Sequence, residues 1–209
     1  MAKRKRQLRV KVLQRGGAPE AIPFVEDMTR RIVAKMFSTR MANTLNLRIE
    51  LRCSKMKANH RGQAQHADIV NYKNKCYTII VHRDLRVAQM CKTLAHELAH
   101  IKQYVEGRLR PGSKGGECGR FWKPTRDGSC QFFPYATTDY WTSPWEVEAR
   151  EMSKLGSEAF EERLAEGNAG NLTMQLEVRA VEANADAREL EKLRLRCGPV
   201  GRQRVFALS

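Results

Sequence analysis

Two histidines and a glutamate carry the most legible chemistry of this chain, in Thr93-Leu94-Ala95-His96-Glu97-Leu98-Ala99-His100. Histidines four apart on a helix lie one turn above each other on one face, so their imidazoles can converge on a single ion. Glu97, next to the first of them, is then placed to take a proton from water at that ion. This is the H-E-x-x-H arrangement of metal-assisted hydrolysis, with His96 and His100 as ligands and Glu97 as general base. With five histidines in 209 residues, the bare pattern arises by accident in about one such chain in a hundred, so its surroundings matter. At about 100° per residue, Val87, Cys91, Leu94, Leu98, Ile101 and Val105 share one narrow apolar stripe, and both histidines fall on roughly the opposite side. The helix has an anchor that leaves its histidine face free.

A catalytic zinc keeps three protein ligands and one open position. No histidine follows position 100. Gln103 and Glu106 stand where the metzincin pattern needs Gly and His. A downstream third ligand must therefore be a carboxylate or a cysteine. The best candidates are Glu146 and Glu148 in Pro144-Trp145-Glu146-Val147-Glu148-Ala149, early in a second helix whose proline suits the first turn. Glu146 is preferred, because the small Ala149 one turn later lets the two helices approach closely; Glu148 stays open. Glu106 and Glu117 are weaker. Such a site hydrolyses peptide bonds by zinc-activated water, and Tyr104, Tyr135 or Tyr140 could steady the oxyanion.

Several elements must hold these residues in place. Residues 1–17 read as a basic flexible arm ending at Gly16-Gly17, and 18–168 as the domain. Residues 169–209 read as a C-terminal helix and tail. Ile22, Val25, Met28, Ile32, Val33 and Met36 predict an amphipathic helix over 19–43. Leu45, Leu47, Ile49 and Leu51 alternate with polar residues and predict a half-buried strand. Residues 54–66 are a polar loop whose His60 and His66 read as solvated. Ala67 to Tyr72 and Cys76 to His82 predict a hairpin around Lys73-Asn74-Lys75. The strand 76–82 could offer its edge to an extended peptide, which favours an endopeptidase. Asp84 is placed to cap the motif helix, which ends near Glu106 before Gly107. From Gly107 to Ser143 glycines and prolines predict a long loop, its aromatics forming mostly a satellite core. Helix returns from Pro144 to about Leu155, more polar helix follows to Glu166, and an alanine-rich helix covers 172–195.

The bulk properties bound the rest. No stretch approaches the ~18 apolar residues of a membrane span, and the basic N-terminus lacks an apolar signal core. The chain reads as soluble and cytoplasmic. Six cysteines, none in a C-x-x-C pair, argue against a zinc ribbon and for reduced thiols. The formal charge of +15 implies attraction to polyanions or acidic proteins. The run Lys3-Arg4-Lys5-Arg6 is a candidate nucleic-acid contact. An alternative function is therefore a basic, nucleic-acid-associated binding protein with a structural or vestigial metal site.

The run from Met90 through His100 to Tyr104, followed by Tyr140-Trp141 and Ser143-Pro144-Trp145-Glu146-Val147-Glu148-Ala149, resembles SprT-like metallopeptidases carried by phages and prophages. The resemblance covers about residues 45–155. It implies an α+β, zincin-like (gluzincin-type) minidomain in which a small, mostly antiparallel sheet packs on the H-E-x-x-H helix and a second, glutamate-bearing helix. It implies zinc held by His96, His100 and Glu146. The chain departs from better-known SprT-type proteases, whose third ligand is a histidine and which often add a zinc ribbon.

Overall fold

A computed structural model describes residues 7–14, 21–52, 67–70, 76–82 and 85–166. In chain order they form β1 (Arg9–Gln14), α1 (Ala21–Met36), α2 (Thr39–Ala42), β2 (Asn46–Arg52), β3 (Ala67–Val70) and β4 (Cys76–His82). Then come α3 (Val87–Val105), β5 (Leu109–Lys114), β6 (Glu117–Trp122), β7 (Gln131–Pro134), α4 (Pro144–Met152) and α5 (Lys154–Ala165). The class is α+β. The expected turn at 73–75, His60, His66, Asp84 and the helix over 172–195 lie outside the described residues.

The first sheet has the order β1-β2-β4-β3. β1 runs parallel to β2, and β2 parallel to β4, aligning Val12, Ile49 and Ile79; β3 joins β4 antiparallel. This sheet is therefore mainly parallel, not mostly antiparallel as expected. The cause is the connection: α1 carries the chain back between β1 and β2, and such a crossover leaves both strands pointing the same way. Period-two patterning assigns faces to side chains and says nothing of direction. β4 also lies between two neighbours, so it has no free edge, and the basis for expecting an endopeptidase falls away.

β1 corrects the reading of residues 1–17 as a flexible arm. Leu8, Val10 and Val12 alternate with Arg9 and Lys11; Val12 is buried while both cations stay exposed. Charge masked a strand pattern. The predicted helix over 19–43 is likewise interrupted: Ser38 takes extended backbone (ψ 150°), and its side chain accepts from the Met41 N–H to cap α2.

Leu47, Ile49, Leu51, Tyr77, Ile79 and Val81 make one buried face of the sheet, in a single core with α1 and α3. On α3 the stripe Val87, Cys91, Leu94, Leu98 and Ile101 has no exposed surface, which fixes the rotation of this helix and so the direction of its histidines. Arg86 is its N-cap and makes no side-chain cap bond. It ends at Glu106, and Gly107 takes φ +70°, the left-handed exit that glycine allows. α5 crosses α3 at Gly156, where a Cβ would meet the Cys91 carbonyl oxygen at 2.2 Å.

The segment 107–143, expected as a long loop, holds a second, antiparallel sheet in the order β5-β6-β7. The two-residue connection Gly115-Gly116 has φ +60° and +85°, the paired positive values of a tight hairpin turn. Leu109, Trp122 and Trp145 form a satellite core with Tyr104 and Phe133. Tyr135 and Tyr140 instead remain about half exposed, at 54% and 50%. Among the described residues no helix is long and apolar enough to cross a membrane.

Candidate metal centre

The centre is built on the face of α3 opposite its apolar stripe and on the first turn of α4. One turn apart on α3, the rings of His96 and His100 meet edge to face at 4.8 Å between centroids. Pro144 opens α4 and Glu146 follows in its first turn, where the helix dipole favours a negative charge. Ala149, with no exposed surface, allows α4 to lie close against α3. Glu146 is 2% exposed and presents one carboxylate oxygen to each imidazole, both 3.3 Å from Nε2. The two Nε2 atoms are themselves 3.2 Å apart.

These spacings test what the cluster can hold. Bonds of about 2.0–2.1 Å in tetrahedral geometry put neighbouring ligand atoms about 3.3–3.4 Å apart, against about 2.9 Å in an octahedron. The Nε2–Nε2 edge of 3.2 Å is near the tetrahedral value, while Glu146 meets the two imidazoles through different oxygens. Among the described residues His96, His100 and Glu146 form a group able to hold a metal ion.

Gln103 decides the tautomer of His100. Its Nε2 donates to the Trp145 carbonyl at 3.0 Å, and Oε1 lies 2.9 Å from His100 Nδ1. A carbonyl can only accept, so the amide orientation is fixed and Nδ1 must carry the proton that Oε1 accepts. The lone pair of neutral His100 then sits on Nε2, facing the cluster. For a histidine that holds a metal, an outer contact of this kind would orient the ring and raise its basicity. Gln103 is fully buried and also ties α3 to α4 through the Trp145 backbone.

Without a metal, the three groups bias one another's protons. Burial opposes charge on Glu146, yet hydrogen bonds from His100 and His96 hold its carboxyl below the usual range. Burial likewise disfavours the His100 imidazolium, and bonding to Glu146 outweighs it, raising the imidazole above its ordinary value. Tyr140 leads into α4 through a short 3₁₀ turn capped by Asp139. Burial, with the Glu146 and Glu97 carboxylates nearby, pushes its phenol upward. Tyr140 is thus a neutral O–H donor at the site.

The other acidic candidates are engaged elsewhere. Glu148 receives both terminal nitrogens of Arg108 and is 3.4 Å from Gln103 Nε2. Arg108 is 7% exposed, bonds Glu106 at 2.7 Å and the Pro124 carbonyl at 3.1 Å, and stacks over Trp122. Glu148 and Glu106 therefore clasp α4 to the end of α3. Glu117 is exposed on β6. Cys76, Cys91, Cys118 and Cys130 form no disulfide and lie outside the cluster.

The structure thus brings His96, His100 and Glu146 together and holds Glu148 apart, while Glu97 stays partly exposed beside His96. Sequence reading passed over Gln103, although its place three residues after His100 puts it on the same helix face. Arg108 and Arg120 gave no sequence signal, because both depend on the unforeseen second sheet. The chain matches no protein-family model, no curated protein and no solved structure.

Proposed function

We propose that this chain is a zinc-dependent peptidase of zincin-like architecture, in which His96, His100 and Glu146 hold the metal and Glu97 is the general base. The observation carrying this reading is the convergence of two Nε2 atoms and a buried carboxylate within 3.2–3.3 Å contacts, with Glu97 next to the first imidazole. Zinc bound there would supply a Lewis acid for a carbonyl oxygen and ionisation of water near neutral pH. The chain's own groups do the rest. Glu97 takes the proton of the attacking water and delivers it to the leaving amine as the C–N bond breaks. The amide of Gln103 keeps His100 in one tautomer through the cycle. Tyr140 offers its O–H to the oxygen on which negative charge develops, a donor positioned in advance of the reaction.

The test is metal content together with one variant. Purified or zinc-supplemented protein is expected to hold one zinc per chain by elemental mass spectrometry. Glu97→Gln is expected to keep that zinc while peptide cleavage falls about 10²–10⁴-fold. Protein that binds no zinc in either preparation overturns the reading.

A further inference from the structure

Arg120 on β6 is a cation that the second sheet brings beside the site. It lies half-buried, with its guanidinium 5.4 Å from the centroid of the Trp145 ring, the residue before Glu146. Tyr135, Tyr104, Glu146 and Tyr140 all lie within its electrostatic reach. The contrast with Arg108 is informative. Arg108, equally part of this wall, is matched by Glu106 and Glu148. Arg120 forms no ion pair with a carboxylate among the described residues; a phenol and an indole face are its near partners. Glu146 acts on it only at longer range and makes no contact ion pair with it, because that carboxylate turns its oxygens to the imidazoles. A guanidinium never sheds its proton, and burying it without an anion is costly. Two half-exposed tyrosines, Tyr135 and Tyr140, lie near it, and Arg120 itself keeps part of its surface in solvent.

The geometry points to Arg120 as a specificity-determining residue that receives a carboxylate of the substrate peptide beside the metal centre, an inference that rests on the peptidase reading. The planar fork of arginine suits a carboxylate through two parallel bonds, and the indole beneath holds that fork in place. The net charge of +15 favours acidic polypeptides as ligands of this protein. The carboxylate has two sources, an Asp or Glu side chain near the scissile bond or the free C-terminus. The first makes an endopeptidase selective for acidic sequences, and the second a carboxypeptidase.

A randomised octapeptide mixture, made with free and with amidated C-termini, separates these cases. Zinc-loaded full-length protein is incubated with each mixture, and cleavage sites are read by mass spectrometry. An enrichment of Asp and Glu at one position by about tenfold or more, lost in Arg120→Gln and kept only in part in Arg120→Lys, which retains the charge without the fork, supports the inference with a side-chain source. Cleavage confined to the free-terminus mixture, and lost in Arg120→Gln, supports it with a terminal source. Equal use of acidic and amide residues by the wild type, or a preference unchanged in Arg120→Gln, overturns it. Glu-to-Gln exchange within one selected peptide asks the same question of the unaltered protein, so a misfolded variant does not decide the matter. Affinity selection of both mixtures on zinc-loaded Glu97→Gln protein needs no turnover. If nothing is cleaved although zinc is bound, the peptidase reading fails, and this selection alone judges Arg120: about tenfold enrichment of carboxylate-bearing peptides supports it, and none overturns it.

Discussion

Replacing Gln103 with leucine separates the proposed metal ligands from the group that orients one of them. Gln103 has no exposed surface and joins His100 Nδ1 at 2.9 Å to the Trp145 carbonyl at 3.0 Å. Leucine has a similar volume but leaves an imidazole N–H and a backbone carbonyl without partners inside the protein. Each orphaned group costs about 1–3 kcal/mol, so the metal-free protein should lose about 2–5 kcal/mol of unfolding free energy. The imidazole also loses the bond that fixes its tautomer. Loss of such an outer contact lowers metal affinity about 10–100-fold, or about 1.4–2.7 kcal/mol of binding free energy. Competition with a chromophoric zinc chelator reads the affinity, and urea unfolding followed by circular dichroism reads the stability. Gln103→Glu is the companion, since it keeps an acceptor for His100 and gives up the donor to Trp145. It should retain zinc within a few-fold while still losing stability. A Gln103→Leu protein with wild-type zinc affinity would refute the claim that this amide prepares His100 for a metal.

Further expectations distinguish the two glutamates of α4 and probe its surroundings. Glu146→Ala should abolish stoichiometric zinc binding. Glu148→Ala should keep one zinc but lose about 2–4 kcal/mol in urea unfolding, because buried Arg108 retains only part of its compensation. Gly156→Ala should destabilise by about 1–3 kcal/mol or more, since its methyl would sit 2.2 Å from the Cys91 carbonyl oxygen; an unchanged urea midpoint would contradict that packing. The metal-free protein should also show a pH window. Glu146 is lowered from an ordinary 4.5, so its contribution is present above that value and lost as pH falls through the folded one. His100 is raised from 6.5, so its contribution is complete below that value and lost as pH rises through the folded one. Urea midpoints should therefore gain most from this pair between 4.5 and 6.5, and Glu146→Gln should flatten the profile.

What the sequence made legible was whatever depends on local period. The stripe from Val87 to Ile101 fixed which way α3 turns its histidines, and the proline at the start of α4 located Glu146. Gly107 marked the end of α3. Longer-range geometry was less visible. A basic alternating strand reads as a tail when its charges are counted before its period, which hid β1. Parallel pairing depends on what lies between strands, so the hydrophobic alternation of Leu47, Ile49 and Leu51 could not reveal it. In the second sheet the Gly115-Gly116 pair was the available hairpin signal, set among prolines that suggested irregular chain. The choice between Glu146 and Glu148 turned on Arg108, whose position beneath Glu148 follows from β5 and could not be read from spacing within α4.

β1 has a practical consequence. Its six residues pair one for one with Asn46–Leu51, so a boundary placed at Gly17 to shed the basic residues would strip the outermost strand from one side of the sheet. β2 would then show an unpaired row of backbone donors and acceptors to solvent, and the buried side of Val12 would leave a furrow. An exposed row of that kind is a template for the strand of another molecule. The shortened protein would self-associate with rising concentration, and its solubility would turn out to depend on the residues that look easiest to trim.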